Sequence, residues 1–314
     1  MNPSFSIQNI IGQETAVRFI QNYIQKPHTI PPLLLFYGPS GTGKWSLAER
    51  FAFNVLCKKG IGCGNCESCR LFLMNEHPDY IVFPNENKSI QIGKDDDKKG
   101  EDFTVRWLLA KRIPYTPHIS KFRLILIPDA SQFTDEAESA LLKTLEEPPE
   151  HTRFIFLVED LLNLKQTIIS RSVCIPFNYL SQDSLHQILN LNPDLNFEKY
   201  YGGSLSPINI PSVVLQIIED KFKESVSDPL LILEFETWIK HYKEVHPEWD
   251  GDSFRYPIFI EAVLLVMLYI YDVSNISNKY SYMEEILNTK ELLYNDISNI
   301  ENFLLSKLFF KLCI

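Results

Sequence analysis

Between Leu33 and Arg50 the chain passes from an apolar run, Leu33-Leu34-Leu35-Phe36-Tyr37, through Gly38-Pro39-Ser40-Gly41-Thr42-Gly43-Lys44, into the helix-forming stretch Leu47-Ala48-Glu49-Arg50. Strand, glycine-rich loop and helix in that order are the context a phosphate-binding loop requires. Gly38, Gly41 and Gly43, with Thr42 between them, let backbone N–H groups face phosphate oxygens. Lys44 would reach the terminal phosphates, and the helix N-terminus adds positive potential. The plainer alternative is a glycine-rich turn with an incidental lysine.

The position after the lysine breaks the pattern. It ordinarily holds Ser or Thr, whose hydroxyl binds Mg²⁺. Here it is Trp45, which offers no oxygen. Ser46 comes one residue late, about 100° further round the helix. The loop is expected to suit a phosphate while metal-assisted hydrolysis is in question. ATP with Mg²⁺ stays an open cofactor assignment.

Further apolar runs follow at Tyr80–Phe83, Leu124–Ile127 and Phe154–Val158. Runs apolar at every position belong to strands buried on both faces, as in parallel sheets covered by helices. Amphipathic stretches lie between them. Val17, Ile20, Tyr23 and Ile24 share one helix face, as do Ala137, Ala140, Leu141 and Leu145. The second of these helices has Thr134 as its N-cap and must end near Glu147, because Pro148-Pro149 cannot continue it. The alternation stops near Phe177, and helical pattern follows, interrupted at Asn192-Pro193-Asp194 and Gly202-Gly203. Lys94–Asp102 reads as a solvated loop, and there is no internal repeat.

The length of 314 residues suits two or three domains. A net charge of −10 argues against binding nucleic acid by bulk electrostatics, which needs surfaces rich in Lys and Arg. The first residues show no basic segment leading into a long apolar stretch, so a cytoplasmic location is expected. The apolar run Ala262–Leu268 is too short for a bilayer and reads as a buried helix, so no membrane contact is expected.

Of the six cysteines, Cys57, Cys63, Cys66 and Cys69 fall within thirteen residues, with Gly60, Gly62 and Gly64 among them. Four thiolates so spaced suit a closed tetrahedral Zn²⁺ site, structural rather than catalytic. An iron–sulfur cluster is a rival, although the expected fourth cysteine is replaced by Leu73. Free thiols are the plainer alternative. Cys174 and Cys313 read as buried singles.

The stretch Tyr115-Thr116-Pro117-His118, then Phe122–Ile127, then Ala140-Leu141-Leu142-Lys143-Thr144-Leu145-Glu146-Glu147-Pro148-Pro149, ending at Ser170-Arg171, resembles the bacterial clamp-loader family of DNA polymerase III, its delta-prime and gamma/tau members. Ile11-Gly12-Gln13, His77-Pro78-Asp79 and the place of the cysteines agree, and the likeness covers about residues 8–177. The resemblance implies an α/β fold: an AAA+ parallel sheet with helices on both faces over residues 1–177 and an inserted zinc module at 57–69. A small helical lid would follow at 178–219, and an all-helical collar joining subunits at 220–314. It implies gamma/tau-like and delta-like subunits, the sliding clamp and, through the assembled complex, primed DNA as partners.

Departures from the family pattern point to one kind of member. The family's Asp-Glu after its central strand falls on Pro128-Asp129. Its polar sensor falls near Val158-Glu159, and no Arg follows Gly203. Ser170-Arg171-Ser172 resembles the family's Ser-Arg-Cys with serine for cysteine, and the resemblance implies an arginine serving the neighbouring subunit's ATP site; the plainer alternative for Arg171 is a surface charge after a helix. Arg153 matches nothing and reads as a surface charge. The expectation is a delta-prime-like subunit without turnover of its own, offering Arg171 in trans. A gamma/tau-like ATPase is the alternative, and DNA contact through the cysteine module is a weaker third.

Overall fold

The computed structural model describes residues 5–84, 90–93, 104–190, 203–205, 210, 212–246, 256–293 and 301–312. The expected loop at 94–102, the turn at 192–194, Gly202 and Cys313 lie outside them. Two compact units are present, Met1–Ser181 and Gln182–Ile314.

The first unit is built on five strands: β1 (Leu33–Tyr37), β2 (Tyr80–Val82), β3 (Arg123–Ile127), β4 (Thr152–Val158) and β5 (Val173–Pro176). All pairings are parallel, in the order β2-β3-β4-β1-β5. Alternation along each strand fills two cores. Leu34, Phe36, Leu124, Leu126, Ile155 and Leu157 enter one, and Leu33, Leu35, Ile125, Ile127, Phe154 and Phe156 enter the other. This accounts for the apolar residue at every position. The sequence pattern did not reveal β5, a four-residue strand ending in proline. It pairs on one side only, with β1, and an edge tolerates the missing N–H donor.

Helix α1 (Glu14–Gln25) and α2 (Lys44–Leu56) cover the first core with Ala16, Ile20, Leu47 and Phe51. Short α3 (Glu67–Leu73) follows α2. On the other face lie α4 (Val105–Lys111) and α5 (Asp135–Glu146), with one-turn α6 (Gln166–Ile169) beyond. The Thr134 hydroxyl accepts from Ala137 N at 3.3 Å, and α5 stops before the two prolines. The chain leaves β1, an inner strand beside the β5 edge, and returns at β2 on the opposite edge, and all strands run parallel. The carboxyl ends of β1, β3 and β4 therefore open on one side, where such sheets hold ligands.

The second unit is helical: α7 (Gln182–Asn190), α8 (Ser212–Val226), α9 (Pro229–Lys240), α10 (Tyr242–Val245), α11 (Tyr256–Val273), α12 (Lys279–Leu293) and α13 (Glu301–Leu312). Val214, Ile218 and Phe222 of α8 share one core with Phe235 and Ile239 of α9, Phe259, Val263, Met267 and Tyr271 of α11 and Leu305, Leu308 and Phe309 of α13. Phe303 and Phe310, on the same last helix, are 65% and 68% exposed. Among the described residues no helix is long and apolar enough to cross a membrane.

Candidate nucleotide loop and cysteine centre

The loop from Gly38 to Gly43 leaves the end of β1 and turns into α2. Gly38 has φ +138° and a side chain there would meet the Phe177 carbonyl oxygen at 2.0 Å. No residue with a Cβ fits. The Gly38 N–H donates to Val158 O at 3.2 Å and Glu159 O at 3.1 Å, tying the loop to β4. The Thr42 hydroxyl donates to Pro39 O at 2.7 Å. Lys44 is buried, and its ammonium donates to the carbonyls of Gly38 and, at 2.7 Å, of Pro39. Burial draws the Lys44 pKa down to about 8, although Glu159 and Asp129 oppose the shift. Trp45 and Ser46 are both exposed at the start of α2.

At the end of β3 the Asp129 carboxylate is occupied by its own chain. It accepts from Ser131 N at 3.0 Å, Ser131 Oγ at 2.6 Å and Gln132 Nε2 at 3.3 Å, capping a short turn of helix. Pro128 before it has no carboxylate. Gln13 fastens the loop from the other side. Its amide nitrogen donates to Thr42 O at 3.2 Å and Asn178 O at 2.7 Å, and its oxygen accepts from Asn178 N at 3.2 Å. The structure thus brings Gly38, Gly41, Thr42, Gly43 and Lys44 into one loop held by Gln13.

The four cysteines converge at the other end of α2. Their sulfurs all lie within 4.8 Å of one another, with Cys57–Cys66 and Cys63–Cys69 at 4.0 Å. Zinc–sulfur bonds of about 2.3 Å imply sulfur–sulfur edges of roughly 3.8 Å, so the donor set fits a tetrahedral Zn²⁺. Cys57 follows α2, Cys66 caps α3 and Cys69 sits in its first turn. Gly62, at φ +55°, leaves room for Asn54 Oδ1, which a Cβ would meet at 2.8 Å. Burial pushes the Cys57 thiol up, but N–H groups of Cys63, Ile61 and Lys59 outweigh it and bring the pKa to about 6. The N–H groups of Asn65 and Cys66 lower that of Cys63, whereas burial raises that of Cys69. Cys174 lies apart from this cluster, half-buried beside Ser172 Oγ at 3.3 Å.

Arg171 follows α6, distinct from both ends of α2. Its side chain is 34% exposed and Nη2 donates to Glu146 Oε1 at 2.6 Å. Arg153 is not the bare surface charge expected. Its Nε donates to Ile30 O at 2.9 Å and its Nη1 to Glu150 O and Thr152 O at 2.8 Å, with the guanidinium 5.1 Å over the Phe122 ring. It staples the starts of β1 and β4, a role that needs contacts 123 residues apart in sequence.

Residues 12–181 match the family described as DNA polymerase III, delta subunit. The chain belongs to the DNA polymerase III clamp-loader family. Among its relatives, the gamma subunit of DNA polymerase III from Buchnera aphidicola subsp. Schizaphis graminum is 32% identical over 232 residues, 73% of this chain and 58% of that protein. The delta-prime subunit of Pseudomonas aeruginosa is 33% identical over 142 residues, 44% of this chain and 40% of that protein. A gamma subunit-related protein of Thermotoga maritima superposes with a TM-score of 0.47 at 15% identity, over 95% of this chain and 98% of that one. The chain spans 58%, 24% and 27% of three gamma and tau relatives, so it covers less than two thirds of each.

In this clamp-loader chain a buried polar network, unforeseen in the sequence, joins the cysteines to the sheet. Ser68, between Cys66 and Cys69, donates to Leu56 O at 2.7 Å and lies 2.9 Å from His77 Nε2. His77 Nδ1 accepts from Asp79 N at 3.1 Å, so Nε2 carries the proton. The Asp79 carboxylate accepts from the N–H groups of His118, Ile119 and Ser120 at 2.7, 2.8 and 2.9 Å. Buried Arg123 donates to the carbonyls of Arg112, Tyr115 and Thr116. His77-Pro78-Asp79 and Tyr115–His118, seen in the sequence only as family likeness, are thus a brace and the loop it braces.

Proposed function

We propose that this chain is a delta-prime-like subunit of the clamp loader, supporting placement of the sliding clamp on primed DNA in the cytoplasm. It would hold a structural Zn²⁺ on Cys57, Cys63, Cys66 and Cys69 and turn over no ATP by itself. Arg171 would act in trans at a neighbour's ATP site. The observation that carries this reading is the state of Asp129. At the end of β3 the Asp129 carboxylate is engaged in capping, and Pro128 and Trp45 supply no metal ligand. Catalysis of phosphoryl transfer rests on positioning and on charge stabilised by a held metal. A loop that keeps its shape but lacks those groups suits an assembly subunit. The lid would span 178–219 and the collar 220–314, a reading supported by the one core that α8, α9, α11 and α13 share. Exposed Phe303 and Phe310 offer apolar area for other subunits.

Retention of Lys44 and the whole glycine loop favours the second reading, a gamma/tau-like ATPase. Purified protein is expected to show no ATP turnover. A rate of about 1 s⁻¹ or more, lost in Lys44→Ala, would establish the second reading. In a loader reconstituted with clamp and primed DNA, Arg171→Ala is expected to lower ATPase by the share of one site and clamp loading further. Equal activity with normal assembly would remove Arg171 from the mechanism.

A further inference from the structure

Arg171 does not project as a free side chain. Nη2 is held by Glu146 Oε1 at 2.6 Å, and Nη1 by Thr167 O at 2.9 Å and Ser170 Oγ at 3.5 Å. Thr167 and Ser170 belong to the arginine's own turn. Glu146 comes from elsewhere, 25 residues earlier, at the last position of α5. The same segment is gripped at its other end. The Lys165 N–H donates to Glu138 Oε1 at 3.0 Å, and its ammonium lies 2.8 Å from Asp135 Oδ1. Between these ties Ile168 is buried in one core with Leu141 and Leu145 of α5. Residues 165–171 are thereby fixed to both ends of a helix about 18 Å long.

We propose that Glu146 is a positioning residue for Arg171. Through it α5 holds the guanidinium in one orientation before a neighbouring subunit docks. This rests on the in-trans role proposed for Arg171. An arginine acting across an interface must place a planar fork against a phosphate, and a preset fork loses less freedom when it does so. The recorded contacts occupy at most three of its five N–H donors, and a third of the side chain is exposed. Part of the fork therefore stays presented while the rest is held.

The test uses the assembled loader of the source organism with clamp and primed DNA, comparing Glu146→Ala, Glu146→Gln, Arg171→Ala and the Glu146→Ala/Arg171→Ala double variant. Glu146→Ala is expected to lower the arginine-dependent part of kcat about fivefold, the scale of an exposed charge pair, with KM unchanged. Glu146→Gln should lose less, since its amide oxygen still accepts, and should keep the shape of the site if Glu146→Ala impairs assembly. The double variant should match Arg171→Ala. Wild-type activity in both Glu146 variants, with Arg171→Ala reduced, would overturn the proposal and leave the in-trans role standing. A rise in turnover would mean that Glu146 restrains the arginine, and a loss persisting without Arg171 would place its effect elsewhere. Both outcomes overturn the proposal. No effect of Arg171→Ala would remove the in-trans role and this inference together.

Discussion

One helix, α2, carries the glycine loop at its first turn and the cysteine cluster at its end, and the two ends differ in what they keep. At the cysteine end every donor is present and converges within 4.8 Å. At the loop end the backbone shape is kept, while Trp45 follows the lysine and Pro128 precedes Asp129, so neither of those two positions offers an oxygen ligand. The loop's lysine turns to its own carbonyls. A metal site needs all its ligands to exist at all, whereas a loop can persist as architecture after its chemistry is gone. The loop here joins β1, β4, β5 and α1 through Gly38 and Gln13, and that is reason enough for the fold to retain it.

If this contrast is right, damage at the cysteine end has the largest effect. Cys69→Ser is expected to abolish stoichiometric zinc binding and destabilise the first unit by about 4 kcal/mol, the range for losing a bound metal. Hydrogen exchange should rise over residues 57–73, while β1, β3 and β4 stay protected, because the core on their other face contains none of the four cysteines. Iron, or no metal, in protein prepared without chelators would break the zinc side of the comparison.

At the loop end the next effect is a pH dependence. Lys44 has a folded pKa of about 8 against 10.5 for the ordinary side chain. Between those values the unfolded chain binds more protons, so stability from this group rises with pH. Below pH 8 the cost of burying the charge is present in full. It is relieved as pH climbs to 10.5, by at most about 3 kcal/mol. Lys44→Met should lack this gain, so denaturation of the two proteins across pH 7–10.5 should show the wild type improving relative to the variant. Parallel curves would mean that Lys44 is solvated and the loop open.

Backbone substitutions come third. Gly38→Ala should cost about 2–3 kcal/mol, since a strained conformation adds to collision with the Phe177 carbonyl. Gly60→Ala, at φ +68° with nothing within 4 Å, should cost only the left-handed conformation, about 1 kcal/mol. Thermal melting of both variants measures the difference, and equal losses would refute the close approach of loop and β5.

How much of this was legible depended on sequence distance. The loop, four strands, the Thr134 cap and the cysteine cluster are written in local order and spacing, and each stood out. The edge strand β5 was hidden because four residues ending in proline carry too little pattern. The Asp79 and Arg123 braces, the staple made by Arg153 and the hold of Glu146 on Arg171 were hidden for another reason. Each joins residues that only the folded sheet makes neighbours, and a charged residue in a sequence looks the same whether it is buried, capping or free. The altered chemistry of Trp45 and Pro128 was visible, but the occupation of Asp129 by Ser131 and Gln132 was not.

The smallest expected effect is the one that discriminates most. Trp45→Thr restores the hydroxyl that a phosphate loop uses for Mg²⁺, and if that residue alone had silenced the site, turnover should appear. We expect none. A metal held only by one hydroxyl and the phosphates lacks the carboxylate that Pro128 cannot give. The residue standing where a catalytic base is expected is also altered, because Asp129 is one methylene shorter than Glu and is tied to Ser131 and Gln132 by three hydrogen bonds. Proton acceptance and metal placement act together in this chemistry, so repairing one part returns little rate. Trp45 is 41% exposed, so its replacement should leave melting within about 0.5 kcal/mol of the wild type, and a silent result would not reflect misfolding. The measurement is steady-state ATPase of the purified variant with Mg²⁺. Turnover appearing in Trp45→Thr and vanishing in Trp45→Thr/Lys44→Ala would show that Asp129 can be released for catalysis. The two ends of α2 would then differ by one side chain rather than by a rebuilt site.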